Sequence, residues 1–204
     1  MIASLHAQYV KTGNEDIFRF EEALKAEVDR AKGKHIPSGF NYPSEYLLYR
    51  EVGKYFEQLR RYFSEFGRKG VHVIIFDDFQ SDSEREFVAV CKFLGIPVNT
   101  KIDFTKNNPA RTPRVIMLHQ ASFRLKVIER AVVKALRPIV PSQVRKVLGS
   151  GYHSLWALNM KAGRVPVSNE TRMTLVSFYK PEIKRLENLL GRDLRDWCVS
   201  NDRD

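Results

Sequence analysis

The stretch that decides the fold is residues 71–95, VHVIIFDDFQSDSEREFVAVCKFLG. Its opening six residues are apolar except for His72, and four of them carry β-branched side chains. A short apolar run of this kind, placed after a glycine, is typical of a strand buried on both faces, as in a parallel sheet. We therefore predict a strand at 71–76 and, with it, an α/β fold class.

Signals for a helix follow the strand directly. An acidic pair ends the apolar run, and the next residues match a capping box in which Ser81 is the N-cap and Glu84 bonds back to it. Apolar side chains then recur at helical spacing as far as Gly95, a residue type that commonly ends helices in the left-handed conformation. The sequence thus predicts a helix at 82–94.

Two more helices are indicated elsewhere in the chain. The first is predicted at about 43–66, because large apolar residues recur every three or four positions and make a core-facing stripe. The stripe consists of Val52, Tyr55, Phe56, Leu59, Tyr62, Phe63 and Phe66. The second is predicted at 169–190 and is expected to break near Pro181. A lone strand would leave its backbone groups unpaired on both edges. Either further strands escape the sequence pattern, or the chain is part of a larger α/β domain.

Composition favours a single globular domain over residues 1–204. Hydrophobic residues make up 43% of the chain and charged residues 28%, which is typical of a folded protein rather than a disordered one. No apolar run reaches the roughly 18 residues that a membrane span needs, and the N-terminus does not match a signal peptide. The two cysteines are too few for a disulfide framework. We therefore expect a reducing, cytoplasmic compartment.

The net charge of +10 indicates an anionic partner. Candidates are a phosphorylated nucleotide, an acidic glycan, nucleic acid or a membrane surface, and the alternative is a solvated basic surface. Nucleic acid is not favoured, because the chain has no helix-turn-helix, zinc-finger or RNA-recognition signature. Part of the charge lies in a long irregular segment at 97–114, a length that is uncommon unless the loop is functional.

Several motifs in order resemble the C-terminal part of the sulfotransferases that use 3′-phosphoadenosine 5′-phosphosulfate (PAPS). The family pattern is a G-x-Y…Q-L helix, a strand that ends in an aromatic and two acidic residues, a helix that ends F-L-G, and a terminal Y-x-P…L-L-G-R-D-L…W. The corresponding stretches here are VGKYFEQL at 52–59, FDDF at 76–79, FLGI at 93–96, YKPEI at 179–183, LLGRDL at 189–194 and Trp197. The resemblance extends over residues 45–197.

The resemblance implies transfer of a sulfuryl group from PAPS to an alcohol or amine acceptor, which a glycan could supply, with adenosine 3′,5′-bisphosphate (3′,5′-ADP) as the other product. It also implies a P-loop-like parallel sheet flanked by helices. In the family, a loop near the N-terminus holds the phosphosulfate with its backbone amides. An R-x-P-x-x-R-x-x-S segment holds the 3′-phosphate.

The chain departs from this pattern at its N-terminus. It has no Gly/Ser/Thr-rich phosphate loop, and residues 1–4 align with only the last four positions of the 3′-phosphate segment. Because the family's catalytic base also lies upstream, no catalytic residue is assigned. We interpret the chain as an N-terminally truncated or split sulfotransferase that is inactive alone and would need a complementing N-terminal fragment.

Two candidate cofactor-binding residues follow from the alignment. Ser4 takes the place of the family's phosphate-binding serine, with an ordinary surface-helix serine as the alternative. Phe76 ends the predicted strand, where ligands of open α/β sheets bind and where the family places an aromatic beside the adenine. A phenylalanine that only packs in the core is the alternative interpretation.

The basic loop supplies three more candidates, Lys106, Arg111 and Arg114, for the 3′-phosphate. The loop lacks the Lys-Gly pair that is common there in the family, so a solvated loop remains the alternative. No metal site is predicted, and Asp77 and Asp78 are interpreted as capping the following turn. The competing hypothesis for the whole chain is a non-enzymatic basic module that binds nucleic acid or an acidic glycan.

Overall fold

The computed structural model describes residues 1–38, 40–98, 102, 104, 111–113, 158–163 and 166–198. The chain divides into two compact units. The first unit comprises Met1–Gly53 and Pro109–Ser177, and the second comprises Lys54–Asn108 and Phe178–Asp204. The assignment of residues 1–204 to a single domain stays a prediction.

The described residues are mainly helical. Their α-helices are α1 (Ile2–Thr12), α2 (Phe20–Arg30), α3 (Tyr49–Val52), α4 (Tyr55–Phe66), α5 (Phe76–Ser81), α6 (Ser83–Leu94) and α7 (Asn169–Leu190). Short 3₁₀ turns occur at Ser44–Leu47, Arg68–Gly70 and Arg195–Cys198. Strands β1 (Arg111–Pro113) and β2 (Met160–Ala162) pair antiparallel, with Arg111 opposite Ala162.

The first unit is built on α1 and α2, each of which buries one stripe. Helix α1 buries Ile2, His6 and Val10, which stand four residues apart and so share a face. It ends at Gly13, whose φ of 77° is the left-handed conformation that glycine adopts without steric cost. Helix α2 contributes an apolar stripe that begins at Phe20. Among the described residues of this unit, the other buried apolar ones are Ala23, Leu24, Leu47 and Tyr49.

The second unit has a small apolar core at the end of an extended segment. Ile75, Leu186 and Leu194 are buried together. Partly buried residues pack around them: Leu59, Val73, Ile183, Leu189, Leu190 and Trp197. The core therefore joins the extended segment, α4, α7 and the C-terminal turn of this unit.

The predicted α/β class, with a P-loop-like parallel sheet and a strand at 71–76, is wrong for the described residues. Val71 and Ile75 have extended backbones, but among the described residues no strand pairs with this segment, and α5 already begins at Phe76. Only Ile75 is buried, whereas Ile74 is 44% exposed. β-Branched residues favour an extended backbone, but a sheet also requires pairing with a distant segment, which local composition does not specify.

The predicted helix at 43–66 is a 3₁₀ turn followed by α3 and α4, because Lys54 interrupts the helical conformation. Its stripe is also less buried than predicted, since Tyr62 and Phe66 are 57% and 64% exposed. Guanidinium groups lie over two of the aromatic rings of this stripe, those of Phe56 and Phe63. Arg185 lies 3.9 Å from the centroid of Phe56, an arrangement that stabilises both groups by a cation–π contact.

The helices at the other two predicted positions are confirmed, with small differences at their ends. Helix α6 is capped at its C-terminus by Gly95, which has a φ of 68°, but its N-cap is Asp82 rather than Ser81. The Asp82 carboxylate accepts the backbone N–H of Arg85 at 2.9 Å. Helix α7 continues through Pro181 without the predicted break. Of the helices that the structure describes, none has the length and apolar character needed to cross a membrane.

Candidate functional site

The candidate site lies in the second unit, where the extended segment turns into α5. Ile75 points into the core and its neighbour Phe76, the first residue of α5, is 65% exposed. The centroid of the Phe79 ring lies 6.5 Å from that of Phe76, and Phe79 is 43% exposed. The turn therefore presents two aromatic rings to solvent at the end of a segment that is anchored by a buried residue.

Asp78 fixes this turn to the residues that follow α7. The guanidinium of Arg192 forms a two-pronged ion pair with it, in which Nη2 donates to Asp78 Oδ1 at 2.7 Å and Nη1 donates to Oδ2. Such fork geometry is the strong form of arginine–carboxylate contact. The bonds from Arg192 hold the pKa of the Asp78 carboxyl below its ordinary value. Gly191, with a φ of 64°, ends α7 and places Arg192 at this position.

Asp77 makes a second connection of the same kind. The indole Nε1 of Trp197 donates to Asp77 Oδ2 at 2.7 Å, while the rest of the indole packs against the apolar core. The interpretation of the acidic pair as a cap for the following turn is therefore wrong, because no side chain caps α5 and Asp82 caps α6. We call Asp77, Asp78, Arg192 and Trp197 the tether, because they join the turn to the C-terminal segment.

The C-terminal segment is itself held in shape by carboxylates. Glu187 Oε1 accepts the backbone N–H of Leu194 at 2.9 Å, and Asp193 binds the guanidinium of Arg195. A shallow, open depression of about 560 Å³ lies here. Its lining residues are Lys184, Glu187, Asn188, Gly191, Arg192, Asp193 and Arg195. Each cation of this lining already contacts a carboxylate, so the depression offers little attraction to an anion on its own.

Of the five predicted cofactor-binding residues, the structure describes three, and these do not all belong to the same unit. Phe76 is exposed, as a residue that contacts a ligand must be. Ser4 is exposed on α1 of the first unit. Arg111 lies in β1, for which the backbone is described, while Lys106 and Arg114 lie outside the described residues. The prediction for these basic residues is therefore untested.

Sequence reasoning recognised Arg192 and Trp197 as motif residues but gave them no role. The sequence does carry a signal for their contact. The FDDF motif supplies two carboxylates, and the GRDL…W motif supplies an arginine and an indole N–H that can donate to them. Among the described ranges, no group of three or more His, Cys, Asp or Glu side chains is arranged to hold a metal ion. The site thus offers a ligand an exposed aromatic ring, that of Phe76, at the start of a helix that the tether holds in place.

Comparisons with known proteins place the fold but not the family. No family model and no curated protein matches this chain. Among solved structures, the chain is similar to a sulfotransferase from Alicyclobacillus acidocaldarius, with a TM-score of 0.60 and 22% sequence identity. The match covers 97% of this chain and 53% of that one, so the chain spans about half the length of the solved protein. The likeness shows that this chain shares its fold with part of a sulfotransferase.

Proposed function

We propose that this chain is part of a PAPS-dependent sulfotransferase. Such an enzyme transfers a sulfuryl group to a hydroxyl or amine acceptor and releases 3′,5′-ADP. The observation that carries the proposal is the shared fold with a sulfotransferase over 97% of the chain. The order of the sequence motifs supports it independently, because the motifs are a property of the sequence and do not depend on the fold.

The tether adds a structural argument for treating the motifs as one site. The FDDF and GRDL…W motifs are more than 110 residues apart in sequence, yet their polar members bond to each other, as the 114-residue separation of Asp78 and Arg192 illustrates. These residues are positioning residues, because they hold the backbone from which Phe76 projects. An aromatic ring held in this way offers a face on which a nucleobase can stack, a contact typically worth about 1–3 kcal/mol.

In the reaction, the acceptor oxygen or nitrogen attacks sulfur, the bond from sulfur to the bridging phosphate oxygen breaks, and the acceptor proton passes to a base. No residue of this chain is assigned as that base. In our proposal Phe76 stacks on the adenine, and Ser4, Lys106, Arg111 and Arg114 bind the 3′-phosphate. The net charge of +10 favours approach of the multiply anionic nucleotide.

The sequence contains no Gly/Ser/Thr-rich phosphate loop, so the 204-residue chain assayed alone with labelled PAPS and mixed acceptors is expected to give no turnover. Residual binding of 3′,5′-ADP is expected in the millimolar to high-micromolar range, since ordering a long loop offsets part of the phosphate contacts. Affinity should fall with added salt because the contacts are ionic.

Calorimetric titration at low salt with 3′,5′-ADP and with adenosine 5′-monophosphate tests the proposal. We expect 3′,5′-ADP to bind about tenfold more tightly, because one charge-assisted phosphate contact contributes about 1.5 kcal/mol. The double variant Arg111→Ala/Arg114→Ala should reduce this preference, because two of the four proposed contacts to the 3′-phosphate are removed. Equal affinity for the two nucleotides in the wild-type chain would contradict the proposed function.

A matched pair of variants tests whether the adenine ring stacks on Phe76. Phe76→Leu should lower the affinity for 3′,5′-ADP about fivefold or more. Phe66→Leu is the control, because Phe66 is equally exposed, at 64% against 65%, and belongs to the same unit. Equal losses in the two variants would remove Phe76 from the nucleotide site.

A further inference from the structure

The first unit carries an exposed aromatic cluster that the nucleotide site does not use. Tyr9 projects from α1, and Phe40, Tyr42 and Tyr46 lie in the chain between α2 and α3. We call these four residues the tyrosine platform. Tyr42 is 52% exposed and Tyr46 is 47% exposed, so about half of each residue is accessible to solvent.

The rings form a continuous surface. Tyr9 and Tyr42 are stacked, with centroids 6.3 Å apart and planes 21° apart. Phe40 stands edge-on to both, with centroids 5.7 Å from each. Tyr46 extends the surface beyond Tyr42, at a centroid distance of 6.4 Å. These centroid distances are in the usual range for interacting aromatic pairs, so the four rings form one patch.

The platform is anchored to the interior of the first unit. The ring of Tyr9 lies 6.4 Å from that of Tyr49, which is fully buried and donates its hydroxyl to Glu15 at 2.6 Å. The backbone N–H groups of Phe40 and Tyr46 are bonded to carbonyl groups three residues earlier in the chain, each at 3.0 Å. The arrangement therefore has support from both the core and its own turns.

The phenol groups of the platform lie near one another. Burial raises the pKa of the Tyr9 phenol, and the neighbouring phenols of Tyr42 and Tyr46 raise it further. Within the part of the chain that the structure describes, these three hydroxyls make no hydrogen bond to protein. The platform thus combines the half-exposed rings of Tyr42 and Tyr46 with phenol hydroxyls that have no protein partner among the described residues.

We propose that the tyrosine platform binds a sugar ring. A pyranose has an apolar C–H face that can lie on an aromatic ring and an edge of hydroxyls that can exchange hydrogen bonds with phenols, so it uses both features of the surface. A flat apolar ring would use the faces and leave the hydroxyls unused. Carbohydrate as the acceptor class rests on the proposed transferase function, whereas the binding itself does not.

Saturation-transfer NMR and calorimetry with three sugars test the proposal: cellotriose, the trimer of N-acetylglucosamine, and a glucuronate-containing disaccharide. We expect at least one to bind saturably, with Tyr42→Leu lowering its affinity about fivefold. Tyr42→Phe keeps the ring and loses the hydroxyl, and should lower affinity about threefold. The control is Tyr62→Leu, because Tyr62 is 57% exposed and stacks on Phe66 at 6.1 Å in the second unit.

Three results would overturn the inference: no saturable binding of any of the sugars, equal losses in Tyr42→Leu and Tyr62→Leu, or p-nitrophenol binding as tightly as the best sugar with the same dependence on Tyr42. The nucleotide titration separates this inference from the proposed function. Sugar binding without a preference for 3′,5′-ADP would support the carbohydrate site and contradict the proposed transferase function. A preference for 3′,5′-ADP without sugar binding would contradict only the proposal that the tyrosine platform binds a sugar.

Discussion

The two units use the same chemistry in opposite surroundings. In the first unit, the Glu15 carboxylate receives the fork of Arg30, with bonds of 2.8 and 2.6 Å, and the hydroxyl of Tyr49. In the second unit, an aspartate pair receives the fork of Arg192 and the indole N–H of Trp197. The Arg30 and Glu15 side chains are 0% exposed, whereas those of Arg192 and Asp78 are 45% and 21% exposed.

The difference in burial determines how much the Glu15 network and the tether each contribute to stability. Removing two charges from water is costly, and the mutual attraction offsets that cost only when the remaining lone pairs are also bonded. Glu15 meets this condition, because the backbone N–H of Ile17 donates to it as well, at 2.9 Å. Burial alone would raise the pKa of Glu15, but the bonds from Arg30, Tyr49 and Ile17 outweigh burial and lower it. The exposed tether has no such cost to offset and correspondingly less effect on stability.

The largest effect is expected from breaking the buried network. Glu15→Gln leaves the Arg30 charge buried without a counter-charge, which should lower the free energy of unfolding by about 3–5 kcal/mol. Chemical denaturation measures this directly. The control is Glu22→Gln, because the Glu22 side chain is 55% exposed and its ion pair with Arg19 is long, at 3.8 Å. A loss below about 1 kcal/mol for Glu15→Gln would contradict the assignment of this network to stability.

An intermediate, pH-dependent effect is expected from His6. This residue is buried, and its Nε2 donates to the carbonyl of Ile17 at 2.8 Å. Burial lowers the pKa of His6 from its ordinary value of 6.5, so the unfolded chain binds the proton more readily. The resulting stability is fully present above pH 6.5 and is lost as pH falls towards the lower pKa of the folded state.

Denaturation at pH 7.5 and pH 5.5 should therefore show a loss of stability on acidification, with a slope of up to about 1.4 kcal/mol per pH unit. His6→Gln keeps a donor for Ile17 and should flatten the slope. His35→Gln is the control, because its imidazole is 66% exposed. A slope that His6→Gln leaves unchanged would exclude His6 as its source. Asp78 cannot contribute in this range, because its pKa is lowered from 3.8.

The smallest effect on stability is expected from the tether. Asp78→Asn and Arg192→Gln should each change stability by no more than about a quarter of the change in Glu15→Gln, because exposed ion pairs contribute little. A double-mutant cycle for this pair, run beside one for Glu15 and Arg30, measures the difference. Comparable coupling energies in the two cycles would contradict our account of burial.

Local patterns in the sequence correctly predicted what depends on local contacts. The helix that ends at Gly95 and the helix at 169–190 are both found. The N-cap was misplaced by one residue because Ser81 bonds instead to the carbonyl of Asp78 within α5. Strand pairing at 71–76 and the contact of Asp77 with Trp197, 120 residues away, depend on distant segments that no local periodicity specifies.

The most direct test of the central claim is whether adenine contacts Phe76. Nuclear Overhauser measurements on the chain with 3′,5′-ADP should give cross-peaks between the adenine H2 and H8 protons and the ring protons of Phe76. These cross-peaks should weaken when Arg192→Gln loosens the turn and persist in Tyr42→Leu. Cross-peaks from adenine to the tyrosine platform, with none to Phe76, would contradict the proposed nucleotide site.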